Sequence, residues 1–118
     1  MLSGCPNPAN RIVYEVSIKL DNPGTTNEFM SWLRNGHIQE VLKSPGFLAA
    51  ELYRCKEATA QGADADEVVV RYTVASAEDL DRYVEHDAAR LKKEALDKFG
   101  DRMEATRRIM GLNGTIFP

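Results

Sequence analysis

The ten residues RIVYEVSIKL, positions 11–20, alternate without a break. Ile12, Tyr14, Val16, Ile18 and Leu20 point one way, and Val13, Glu15, Ser17 and Lys19 the other. Successive side chains of a strand leave opposite faces, so this stretch reads as a strand with one strongly apolar face. Three more runs share its character. FLAAELYRCK (47–56) reads as a second strand, EVVVRYTVA (67–75) as a third and RMEATRRIMGL (102–112) as a fourth. The third is apolar on both faces, which marks the middle of a sheet.

Helical spacing fills the gaps between strands. Asp21-Asn22-Pro23-Gly24 is a turn. Thr25-Thr26-Asn27-Glu28 follows with the spacing of a capping box, so Thr25 is the expected N-cap. At 100° per residue Phe29, Trp32, Leu33 and Gly36 share one face, yet Ile38, Val41 and Leu42 fall nearly opposite. One straight helix cannot bury both sets, and the weak helix former Gly36 marks the break at Asn35-Gly36. The short second piece ends at Ser44-Pro45-Gly46. Ser76-Ala77-Glu78-Asp79 opens a second, long helix. Its stripe is Leu80, Tyr83, Val84, Ala88, Leu91, Ala95 and Phe99, and Gly100 stops it.

The order is β-α-β-β-α-β. Right-handed crossovers put both helices over one face of one sheet. The expected fold is α+β: a ferredoxin-like βαββαβ sandwich with a four-stranded antiparallel sheet, strands 1 and 3 in its centre. The expected single domain covers residues 11–112. An irregular N-terminal arm at 1–10 precedes it, a tail at 113–118 follows, and a loop spans 57–66.

The second face of the sheet is mixed. Ile12, Tyr14, Val16, Ile18, Val68, Val70, Tyr72 and Val74 face the helices, while Val13, Glu15, Ser17, Val69, Arg71 and Thr73 turn away. The fourth strand adds Arg108 and Met110, or Arg107 and Ile109, according to register. Glu15 and Arg71 are placed to pair across neighbouring strands. Such a face is either wetted by solvent or covered by a second sheet. Its exposed aliphatics favour cover. A homodimer through the sheet face is therefore the expected assembly.

The bulk numbers set outer bounds. At 118 residues and 13.2 kDa there is room for one domain. A net charge of −3 and a pI of 5.4 do not provide the cationic footprint that binding nucleic acid requires. Lys92-Lys93 and Arg107-Arg108 sit among carboxylates and read as solvated faces. The two cysteines, Cys5 and Cys55, make no disulfide framework and have no metal-ligand spacing. No apolar run reaches the roughly 20 residues of a membrane span. The start, MLSGCPNPANR, does not read as a secretory signal. The expected location is the cytoplasm, with reduced thiols and without membrane contact.

Two segments carry a resemblance. WLRNGHIQEVLKSPGF, from Trp32 to Phe47, is similar to the W-x4-H-(I/V/M)-x2-(L/V)-L-x-x-PGF pattern of dimeric α/β-barrel proteins, among them the antibiotic-biosynthesis-monooxygenase-like and EthD-like families. From about Arg11 to Leu112 the chain resembles a family of unknown function within that superfamily. That family has a DAPRLR-type stretch, here Asp87-Ala88-Ala89-Arg90-Leu91-Lys92 with Ala89 in place of proline. It closes the helix with F-G-D-(R/K), here Phe99-Gly100-Asp101-Arg102. Gln39 stands where relatives often have proline. The resemblance implies a homodimer whose sheets close into a barrel, and a pocket in each subunit between helices and sheet. It does not imply a reaction.

His37 begins the piece after the break, and in some relatives the matching histidine lines the pocket. An imidazole there is a candidate general base; the structural alternative is a residue that buttresses the kink. Asp87 falls within the apolar stripe of the second helix, where a carboxylate is costly unless paired. It is a candidate helper to His37. The structural alternative is a cap at a kink, or a partner of Arg90. Trp32, Tyr14, Tyr72 and Tyr83 are candidate ligand-binding residues, or core. His86 reads as solvated. Neither a cofactor nor a metal is expected, because the glycine-rich and metal-ligating signatures are missing. The leading expectation is a homodimer that binds a small apolar organic molecule. One alternative is a cofactor-independent enzyme of monooxygenase, isomerase or cyclase type using His37 and Asp87. The other is a non-catalytic dimeric interaction module.

Overall fold

The sheet order follows from which strands can share an apolar face. In the computed structural model, β1 (Ile12–Leu20) pairs antiparallel with β3 (Asp64–Val74) on one side and β4 (Met103–Gly111) on the other. β2 (Phe47–Ala58) pairs with the outer edge of β3, giving the order β2-β3-β1-β4. This is the expected ferredoxin-like arrangement. The structure describes residues 11–58 and 64–118. The expected arm at 1–10, with Cys5, lies outside the described residues, as does the middle of the loop after β2. That loop is shorter than expected, because the β2–β3 ladder runs on to Ala58 and Asp64.

Both helical layers cover one sheet face. Val68, Val70 and Val74 of β3 are at most 1% exposed, as are Val41 and Leu91 above them. Each such side chain contributes roughly 1.5–3 kcal/mol by leaving water. β4 settles the open register. Met110 pairs with Val13 and Arg108 with Glu15 on the outer face, so Arg107 and Ile109 turn towards the helices.

The first helix, α1 (Pro23–Trp32), starts earlier than its capping-box spacing implied. Its N-cap is Asn22, not Thr25. The Asn22 side chain accepts from the Thr25 backbone N–H at 2.9 Å, and Pro23 fills the first helical position, where no N–H is needed. Thr26 donates its hydroxyl to the Asn22 carbonyl at 3.1 Å. With the cap already made, Glu28 turns to Arg102 at 3.5 Å. The helix breaks where expected. A wide turn, Leu33–His37, separates it from α2 (Ile38–Leu42).

The second long helix is likewise two pieces, α3 (Ala77–His86) and α4 (Ala88–Phe99). Ser76 caps α3 as expected, accepting from the Asp79 N–H at 3.2 Å. The break falls at Asp87, whose φ of −123° leaves the helical region. The phase shift there corrects the apolar stripe. Ala88 and Leu91 are buried, but Val84 is 52% exposed.

Gly46 closes the turn into β2. Its φ of +83° suits glycine, and a Cβ there would overlap the Asp79 carboxylate at the start of α3. Gly46→Ala is expected to lose about 2–3 kcal/mol of stability from backbone strain and overlap together. Urea denaturation of the variant measures this, and a loss below about 0.5 kcal/mol contradicts the packing described.

Candidate functional site

The broken first helix builds the site. Within Leu33–His37 the Ile38 N–H reaches back five residues to the Leu33 carbonyl. In a regular helix, residues five apart lie about 140° from each other. The wide turn takes up the extra residue, and Gly36 makes it possible at φ +155°. His37 thereby stacks on Trp32, with ring centroids 4.2 Å apart and planes at 24°. Trp32 rests in turn on Phe29 at 5.8 Å and Phe99 at 5.5 Å. Turns of this type inside helices recur at functional sites.

Trp32 and His37 form one wall of a cavity between helices and sheet, with a volume of about 60 Å³. That is room for a few water molecules or one small chemical group. The sheet supplies Tyr14 and Tyr72, and α3 supplies Tyr83. These three rings pack together, Tyr14 lying 6.2 Å from Tyr72 and 6.0 Å from Tyr83. Burial raises the pKa of all three phenols. They remain protonated hydrogen-bond donors at neutral pH. For Tyr14, the adjacent Arg107 guanidinium opposes part of that rise.

His37 has only 12% of its side chain exposed. Its Nδ1 is buried without a hydrogen-bond partner. Glu94 Oε2 lies 4.0 Å away, beyond hydrogen-bond distance. Burial lowers the imidazole pKa and outweighs the opposing fields of Glu94 and Glu40. His37 is thus neutral at neutral pH and free to take up a proton. A folded-state pKa below the ordinary 6.5 means that the unfolded chain binds the proton more tightly. His37 therefore contributes full stability above pH 6.5, and that contribution falls as the pH drops through the lowered value. His37→Gln is expected to flatten this part of the profile, which denaturation at stepped pH between 7.5 and 5 reads directly. An unchanged slope contradicts the buried neutral imidazole.

Asp87 lies elsewhere. Its side chain is 32% exposed, not buried in the stripe. It accepts from Ser44 Oγ at 3.3 Å and pairs with Arg90 at 3.4 Å. It does not line the cavity. The carboxylate beside His37 is Glu94. His86 is 64% exposed, and Cys55 is a free, half-buried thiol. Among the described residues no three His, Cys, Asp or Glu side chains converge as a metal site would require. No helix is long and apolar enough to cross a membrane.

Two cations at the cavity were missed from sequence. Arg107 of β4 and Lys92 of α4 both line it, while remaining exposed to solvent as their dipeptides read. The signal for Arg107 was the alternation in β4, where it lies two residues from Ala105 and Ile109, but the register was open. The break at Asp87 changes the phase of the helix that carries Lys92.

A family model described as a domain of unknown function, DUF4286, matches residues 11–112. The chain belongs to this family. No curated protein is similar enough to count as a match to this DUF4286 chain. Solved structures share its fold. A monooxygenase from the gene ActVA-Orf6 of Streptomyces coelicolor, in complex with nanaomycin D, is 22% identical with a TM-score of 0.65, covering 95% of this chain and 96% of that one. An EthD family protein from Bacillus halodurans is 17% identical with a TM-score of 0.61, over 85% and 98% of the two chains. A dimeric ferredoxin-like protein from an uncultured marine organism is 13% identical with a TM-score of 0.62, over 91% and 99%. At these identities the likeness is one of fold. It bears out the resemblance to monooxygenase-like and EthD-like proteins at that level.

Proposed function

We propose that this DUF4286 chain is a homodimer that binds a small, largely apolar organic molecule, one per subunit, between helices and sheet. The observation that carries the reading is the cavity wall itself. Five aromatic rings and an imidazole surround one space, and the tyrosine hydroxyls among them need partners when buried. A fold neighbour in complex with nanaomycin D supports an organic ligand for this chain. A ligand of that size requires the cavity to widen, since about 60 Å³ is available. The outer sheet face supports the dimer. It presents Val13, Val69 and Met110 around Glu15, and one fold neighbour is dimeric.

Trp32 is the single tryptophan of the chain, so its indole N–H gives one reporter signal in the cavity wall. Titration with phenol or benzamide is expected to shift that signal saturably. Ala95 also lines the cavity, and Ala95→Phe is expected to plug it and weaken binding by roughly tenfold or more. A non-saturating response, or equal binding by the plugged variant, sinks the binding reading.

A second reading, a cofactor-independent enzyme, has one specific observation in its favour. His37 is neutral, buried and stacked in the cavity wall, with an unpaired Nδ1. In that role His37 takes a proton from the bound molecule, and a tyrosine hydroxyl donates to the oxyanion left behind. Asp87 then serves the break between α3 and α4 rather than the imidazole.

A further inference from the structure

We propose that Arg107, seconded by Lys92, makes the cavity selective for a ring compound that carries one anionic oxygen group, a carboxylate or an enolate. The inference rests on the binding reading above and adds the charge of the ligand. Both cations line the cavity, Arg107 from the helix-facing side of β4 and Lys92 from α4. Among the described residues neither has a carboxylate within ion-pair distance. Their immediate neighbours in the sequence do: Arg108 is held by Glu15 and Lys93 by Asp97 at 2.7 Å.

The carboxylates nearest the site are already engaged. Asp87 is held by Arg90 at 3.4 Å, and Glu94 lies 3.7 Å from the same guanidinium. The uncompensated charge at the cavity is therefore positive. Arg107 sits beside the Tyr14 hydroxyl, and its field also reaches Tyr83. Arg107, Tyr14 and Tyr83 all line the cavity, so one planar guanidinium and two phenol hydroxyls border the same space. The guanidinium can only donate and each protonated phenol has a proton to donate, and this set matches an oxygen anion better than a neutral carbonyl. The apolar remainder of the wall, with Phe29, Leu33 and Leu91, accepts the ring once the cavity widens beyond about 60 Å³.

The test compares benzoate with benzamide, which have nearly the same size and shape, each titrated against the full chain with the Trp32 indole signal as readout. Wild type is expected to bind benzoate about tenfold more tightly, the scale of one charge-assisted hydrogen bond. Arg107→Gln is expected to bring the ratio within about twofold, with benzoate affinity falling far more than benzamide affinity, and Arg107→Lys to keep part of the preference. Lys92→Gln is expected to lower the ratio less than Arg107→Gln. Equal affinities in wild type, or a preference that survives Arg107→Gln, overturn the inference and leave the cavity reading standing. If neither probe moves the Trp32 signal, both fall together.

Discussion

Phe99→Ala is expected to lose about 3–5 kcal/mol of stability, the range for truncating a fully buried phenylalanine. Phe99 is 2% exposed and closes the last turn of α4. It meets Phe29 edge-on at 4.9 Å and Trp32 at 5.5 Å. Those two rings seat the stack on which His37 lies. Removing Phe99 leaves a void beneath them, and partial collapse tilts Trp32 away from His37. The same variant should therefore broaden or move the Trp32 indole signal. Urea denaturation measures the energy, and a loss below about 1 kcal/mol means that the floor of the site is not packed as described. Phe99→Leu, which keeps most of the volume, is expected to lose far less.

Glu15→Ala is expected to weaken self-association by roughly 30-fold or more, as when one partner of a buried charge pair is truncated. Glu15 is 5% exposed, covered by the arginine side chains that lie over it. Arg71 donates to one carboxylate oxygen at 2.8 Å and Arg108 to the other. Loss of Glu15 leaves two cations in the middle of the sheet face with no counter-charge. A second sheet packed there then meets unpaired charge. The pH dependence follows. Arg108 first, and Arg71 with it, hold the Glu15 carboxyl below its ordinary value of 4.5. The contribution is complete above pH 4.5 and is lost as the pH falls through the lowered value. Acid is expected to destabilise the fold through this group in that window, and the proposed dimer with it. Glu15→Gln should remove the acid transition attributable to this group, which dilution series at pH 3 to 6 would detect.

The four strands were legible because period-two alternation needs only the residues themselves. Ile12 to Leu20 and Val68 to Val74 fall on their faces as written. The kink at Gly36 was legible from a phase conflict that no straight helix resolves. The start of α1 was misplaced because Thr25 and Glu28 have capping-box spacing, while Asn22 before Pro23 makes a competing cap three residues earlier. The break at Asp87 was legible only as an alternative, a cap at a kink, because the stripe from Leu80 to Phe99 keeps steps of three and four across it. The Asp87 backbone, the exposure of Val84 and the Ser44 contact reveal the change of phase. That break also moves Asp87 out of the core, so its oddity in the stripe is an effect of helix geometry. His37, Trp32, Tyr14, Tyr72 and Tyr83 lie around one cavity. Arg107 was not legible, because its face depended on a register that only the β1–β4 pairing decides.

The aliphatics of the outer sheet face, set around Glu15 and its two arginines, support the proposed pairing with a second copy of this chain. Light scattering on a dilute sample near neutral pH tests that most directly. The expected mass is about 26.4 kDa, twice the 13.2 kDa of one chain. A mass that stays at 13.2 kDa at micromolar concentration contradicts the account.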